Sequence, residues 1–112
     1  MTGNEYQELA CRTINQDLDY HELMLHSLHG MAGEIGEIHS IYQKRYQGHY
    51  IVPDDVRKEL GDLLWFISEY CTSQGWWLED IMKENIEKLK ARYPDGFSEE
   101  RSVNRSERPV HY

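Results

Sequence analysis

Three stretches of this chain carry apolar residues at helical spacing, each closed by a glycine or a proline, and no stretch alternates apolar and polar residues over a useful strand length. That pattern restricts the chain to an all-α fold. A short first helix is expected from about Asn4, a good N-cap with Glu5 and Glu8 in the opening turns, to about Thr13, with Tyr6, Leu9 and Ile14 as apolar positions. A second runs from about His21 to Gln47 and ends at Gly48, with Leu25, Leu28, Met31 or Ala32, Ile35, Ile38 and Tyr42 as its core stripe. A third starts at Pro53, with Asp54 and Asp55 at its positive end, and stops at Gly75; Val56, Leu60, Leu63, Leu64, Ile67 and Cys71 form its buried stripe. The fourth spans about Leu78 to Arg92, with Pro94 just beyond. Leu78, Ile81, Met82, Ile86 and Leu89 are its expected buried face.

At 112 residues the chain has room for one domain and one core, expected over 1–94, with a polar tail over 95–112. Only 39% of residues are hydrophobic, and the longest apolar run, Leu63 to Ile67, is far short of the roughly 20 residues a membrane span needs. No basic-then-apolar leader is present, so a cytosolic chain is expected. Cys11 and Cys71 lack CxxC spacing and are expected as free thiols. A net charge of −8 argues against a nucleic-acid partner, because phosphate backbones would be repelled.

Gly30, Gly33 and Gly36 recur every three residues inside the second helix, where each costs about 0.5–1 kcal/mol relative to alanine. Close approach of another helix or subunit explains them; room for a phosphate-bearing ligand is the alternative. Together with the short first helix they favour a homo-oligomer whose partner completes a four-helix-bundle-like core.

Glu34 and Glu37 stand three residues apart in the second helix, and Glu59 and Asp62 repeat that spacing in the third. Three steps of about 100° leave two side chains about 60° apart, one turn up the same face. Each pair borders its apolar stripe instead of lying opposite it, Glu34 and Glu37 beside Met31 and Ile38, Glu59 and Asp62 beside Leu63 and Phe66. Like charges so placed repel, and a divalent cation would cancel the repulsion. Oxygen-only ligands suit Mg²⁺ or Mn²⁺, no Cys or His lies at matching spacing for zinc, and the Glu-x-x-His pairs of di-iron bundles are absent. Two solvated helix faces are the plain alternative, and spacing alone leaves both open. In the fourth helix Asn85 falls within the apolar stripe, where a buried amide would need partners. Asn85, Lys88 and Arg92 follow i, i+3, i+7 spacing, which suits a phosphate clamp or, for the two cations, simple complementation of the helix dipole.

The motifs Gly33-Glu34-x-x-Glu37, Glu59-x-x-Asp62 and Asn85-x-x-Lys88-x-x-x-Arg92-Tyr93-Pro94 occur in that order, and over roughly residues 5–105 the chain resembles the MazG-like family of all-α nucleoside triphosphate pyrophosphohydrolases. The resemblance implies release of pyrophosphate from a (deoxy)nucleoside triphosphate, leaving the monophosphate, in the control of nucleotide pools. It implies Mg²⁺, with Mn²⁺ possible, held by Glu34, Glu37, Glu59 and Asp62 as the metal-binding and catalytic set, and substrate contacts from Asn85, Lys88 and Arg92. Such a metal would polarise the α-phosphoryl oxygen and acidify an attacking water; one of the acids acting as base instead of ligand stays open. The family acts as dimers or tetramers.

Phe66, one turn beyond Asp62 on the same face, is the first candidate for stacking on the base, ahead of Tyr42, Tyr46, His49 and Tyr50; ordinary packing is the alternative. Trp76 and Trp77 stand where relatives often carry a small N-cap residue, and serve as core, interface or base-stacking groups. His29, where relatives tend to have an aliphatic residue, reads as a hydrogen-bonded core group. Arg101, Asn104 and Arg105 resemble family endings and either fold over the triphosphate or lie in a solvated tail. Two other functions compete. A phosphoribosyl-ATP pyrophosphohydrolase would show a Glu-Glu doublet where Ile35-Gly36 separates Glu34 from Glu37, and a non-catalytic helical interaction domain would have no use for the intact acids and cations.

Overall fold

Thr2, not Asn4, begins the first helix. In this computed structural model, which describes residues 1–104, α1 spans Gly3–Cys11. The Thr2 hydroxyl accepts from the Glu5 backbone N–H at 3.0 Å and the Glu5 carboxylate accepts from the Thr2 N–H at 3.2 Å, a reciprocal cap that satisfies two otherwise orphaned donors. The same device opens α2, Tyr20–Lys44, where Asp19 and Glu22 exchange bonds of 2.8 and 3.1 Å. α2 tightens into a 3₁₀ turn over Arg45–Gln47 and stops at Gly48, whose φ of 89° is open to glycine at little cost. α3 spans Pro53–Gln74 and ends at Gly75, with φ 73°. α4 covers Leu78–Arg92, and α5, Glu99–Asn104, is a short helix inside the stretch expected to be a tail.

Among the described residues no strand forms beyond an isolated bridge between Pro94 and Gly96, so the fold is all-α. No helix among the described residues is long and apolar enough to cross a membrane. Two compact units divide the chain, one running from Met1 to Leu78 and one beginning at Glu79.

In the first unit α2 and α3 form the main seam, and α1 packs on α3. Gly30 meets Phe66 and His26 meets Glu69, so the two long helices run antiparallel. The seam is lined by small and polar side chains. Leu23 and Ser27 of α2 and Ser68, Glu69, Cys71 and Ser73 of α3 are buried, with Ser27 and Ser73 hydroxyls donating to the carbonyls of Met24 and Tyr70 one turn back. The expected core stripe of α2 is corrected here: Leu25, Leu28, Ile35 and Tyr42 are exposed, while Met31 and Ile38 are partly buried. α2 carries two apolar faces, and α3 takes the one whose small residues allow close approach. Leu60 and Leu64 of α3 are likewise exposed.

Gln7 ties α1 to the end of α3. Its buried amide donates to Thr72 Oγ1 at 3.2 Å and to the Trp76 carbonyl at 2.9 Å, and accepts from the Leu78 N–H at 2.6 Å. Cys11 and Cys71 are free thiols, and burial raises the Cys71 thiol above its ordinary value. In the second unit, Ile81, Met82, Ile86 and Leu89 are exposed, so of the face expected to be buried on α4 only Leu78 is. Tyr93 and Phe97 close the turn after α4 with ring centroids 5.4 Å apart, around Gly96 at φ 91°.

Candidate metal centre

Glu34 enters the seam from α2, one turn beyond Gly30, and Glu59 and Asp62 face it from α3. One carboxylate oxygen from each of the three lies within 4.8 Å of the others. Glu34 Oε2 is buried and meets no hydrogen-bond donor. A hydrogen bond shared with Glu59 is the largest cause of the shift that pushes the Glu34 carboxyl up to about 7; burial and the charges of Glu59, Asp62 and Glu37 add to it. Three hard oxygens and a buried oxygen without a donor fit Mg²⁺ or Mn²⁺, and the absence of nitrogen or sulfur from the set disfavours zinc.

Glu37 stands apart from this trio. It is exposed one turn further along α2, and it reaches the site through its charge on Glu34. The three glycines also part company. A Cβ at Gly30 would overlap the Phe66 ring, whereas one at Gly33 or Gly36 would meet nothing within 4 Å. Close helix approach therefore accounts for Gly30, and the surface beside Glu34 and Glu37 stays open. From α1, Tyr6 comes near enough that Asp62, after burial, raises its phenol above the ordinary value. Sequence reasoning treated Tyr6 as an apolar position alone.

Phe66 is partly buried and held on several sides. Besides Gly30, it meets the Trp65 ring edge-on at 5.1 Å and the His26 ring at 5.7 Å, and Trp65 is itself anchored by its Nε1–H donating to Thr13 Oγ1 at 2.8 Å. Tyr42, Tyr46, His49 and Tyr50 are exposed. His29 is exposed too, which corrects its reading as a hydrogen-bonded core group; the histidine that hydrogen-bonds into the seam is His26, itself half-exposed. His26 Nδ1 lies 2.7 Å from Glu69 Oε1, and Glu69 is 1% exposed. Sequence reasoning missed this pair. The available signal was a charged residue three positions beyond Phe66 and seven beyond Asp62, in register with the seam.

Trp76 and Trp77 are half-exposed and line a pocket of about 390 Å³ with Gln7, Cys11 and Thr72, and the four acids are not among its lining residues. In the second unit, Asn85 is exposed, contrary to the buried amide expected from its stripe position, because nothing among the described residues of that unit covers this face of α4. Lys88 is exposed, and Arg92 is partly buried with its guanidinium 5.9 Å from the centre of the Tyr93 ring. Arg101 and Asn104 are exposed on α5, and Arg105 lies outside the described residues.

Residues 20–97 match the family described as the MazG nucleotide pyrophosphohydrolase domain. The match opens at the first residue of α2 and contains all four acids together with Asn85, Lys88 and Arg92. The chain is also similar to the Gene 37 protein of Mycobacterium phage L5, at 30% identity over 94 residues, covering 80% of this chain and 82% of that protein. No solved structure matches.

Proposed function

Because the chain belongs to the MazG nucleotide pyrophosphohydrolase family, we propose that it hydrolyses a nucleoside or deoxynucleoside triphosphate between the α and β phosphates, with Mg²⁺ as cofactor. The observation that carries this reading is the convergence of Glu34, Glu59 and Asp62 around a buried Glu34 oxygen that lacks a donor. Mg²⁺, or Mn²⁺ in its place, would neutralise the triphosphate, polarise the α-phosphoryl oxygen and acidify water. Glu34, Glu59 and Asp62 hold the cation, and Glu37 supplies a fourth carboxylate as an outer ligand or as acceptor of the water's proton. A water oxygen bonds to the α-phosphorus, the bond to the bridging oxygen breaks, and its electron pair leaves with pyrophosphate.

From their spacing on α4, Asn85, Lys88 and Arg92 are assigned to the substrate's phosphates, and Phe66 to its base. Self-association belongs to the same reading: Leu25, Leu28, Ile35 and Tyr42 share one exposed apolar face of α2, a feature that a homo-dimer or homo-tetramer would cover. Light scattering on the purified chain checks the oligomeric state. For the reaction itself, the chain is incubated with Mg²⁺ and a panel of (d)NTPs and the products are resolved. Pyrophosphate with monophosphate is expected; orthophosphate with diphosphate, or no turnover with any divalent metal, would sink the reading.

A further inference from the structure

Glu69 is the one buried charged side chain among the described residues, and the proposed hydrolysis gives it no task. Sinking a carboxylate into a helix seam is costly, and a well-packed apolar pair would hold the seam at least as well. Its partner is not sunk with it. The His26 side chain stays 50% exposed while Nδ1 turns inward to Glu69 Oε1 at 2.7 Å. Nε2 is then the ring's remaining polar atom, held in a fixed direction by the bond on its other nitrogen.

The placement of this imidazole is informative. His26 lies eight residues before Glu34 on α2, about 12 Å at the helical rise, and Glu69 lies seven beyond Asp62 on α3, about 10 Å. Phe66 fills the interval, with its ring seated on Gly30 and its centroid 5.7 Å from that of His26. Along one seam, therefore, come carboxylates suited to a cation, an aromatic ring, and an oriented imidazole nitrogen. A metal-bound nucleotide presents its parts in a matching order: phosphates, then a flat ring, then that ring's hydrogen-bonding edge.

We infer that His26 is a specificity-determining contact for the nucleoside part of the substrate, acting through Nε2, with Glu69 as the positioning residue that fixes the imidazole. The inference rests on the nucleotide reading above. Nε2 accepts from a base N–H or, when the ring carries its second proton, donates to a base carbonyl, so in either state it sorts bases by their edge. A site built to hydrogen-bond one edge rejects the wrong one strongly, because its own polar group is left unpaired.

Histidine-selective ¹⁵N NMR on the full chain tests this without turnover. With Mg²⁺ and saturating AMP, GMP, CMP or UMP in turn, the His26 Nε2 resonance is expected to move by amounts that differ between amino-edged and keto-edged bases, and to stay in place with pyrophosphate. A resonance unmoved by all four nucleotides, or moved equally by pyrophosphate, overturns the inference. In steady state, His26→Gln, which keeps an N–H for Glu69, is expected to raise KM for the preferred nucleotide about tenfold and to narrow the ratio between best and worst bases, with kcat unchanged. A fall in kcat with the base ratios preserved overturns it. Glu69→Gln is expected to narrow the same ratio by less, and an unchanged ratio removes Glu69 as the positioning residue. The double variant His26→Leu/Glu69→Leu, which leaves no buried charge unpaired, is expected to keep the far-ultraviolet helical signal and lose the base discrimination; retained discrimination overturns the inference. A wild-type chain that releases no pyrophosphate removes the hydrolysis reading, while the nucleotide-induced shifts at His26 still decide whether its imidazole meets the base.

Discussion

Glu34 and Glu69 point into the same seam between α2 and α3, yet one keeps a buried oxygen, Oε2, that meets no donor while the other is met by an imidazole at 2.7 Å. At Glu34 the neighbours are Glu59 and Asp62, so a hydrogen bond shared with Glu59, then burial and like charge, push the carboxyl up to about 7. At Glu69 the fold supplies its own counterpart. The difference separates a place left open for a cation from a polar contact completed within the chain: the first repels itself until something arrives from outside, and the second is satisfied at once.

The largest effect should come from the open end. Glu34→Gln, Glu59→Gln or Asp62→Asn is expected to lower Mg²⁺-dependent pyrophosphate release at least about 100-fold, the upper end of what losing even an outer-shell metal partner costs. The same variants should raise the melting temperature of the metal-free protein, since one of the repelling charges is gone. A lower metal-free melting temperature would mean that the trio braces the fold, and the contrast with Glu69 would collapse.

Next comes the satisfied end. His26→Ala strands the Glu69 carboxylate in the seam and is expected to cost about 3 kcal/mol in urea unfolding, the low end for a broken buried pair because the imidazole is half-exposed. Glu69→Leu, which removes the buried charge itself, should cost clearly less. Equal costs would show that Glu69 is as tolerant of solitude as Glu34.

Smaller effects are expected between the two ends. Gly30→Ala drives a methyl into the Phe66 ring and should destabilise by about 1–3 kcal/mol, with Phe66→Leu restoring part of the loss. Gly33→Ala, which meets nothing, should instead gain about 0.5–1 kcal/mol in helix propensity. A loss at Gly33 of the size seen at Gly30 would show that a second copy lies against that surface.

The mildest test is pH. A carboxyl raised from 4.5 to about 7 contributes stability that is fully present below 4.5 and is lost as pH rises through about 7. Metal-free stability should therefore decline across that window in thermal melts, and the rise in melting temperature on adding Mg²⁺ should grow across it. A Mg²⁺ effect independent of pH would detach the cation from Glu34.

How much of this is legible in the sequence depends on distance along the chain. Gly48 and Gly75 as stops, Pro53 as a start and the span of α4 are all readable, because caps and breakers act within one or two turns. The convergence of Glu34, Glu59 and Asp62 follows from three-residue spacing on two helices that have to pack together. Glu37 reads as their equal and stands apart, exposed one turn further along α2, although Glu59 and Asp62 at the same spacing on α3 both join the trio. Thr2 escapes notice as the N-cap although Glu5 three residues on completes the signature.

By itself, then, the sequence determined where α2, α3 and α4 begin and end to within about a turn, that they are amphipathic, and which acids share a helix face, because these depend on local geometry repeated every few residues. Which apolar face of α2 is covered, whether Asn85 is buried, and that His26 finds Glu69 across 43 positions were decided only in three dimensions. Those outcomes depend on the rotation and register of one helix against another, and that register follows the closest packing the small residues Ser27 and Gly30 permit.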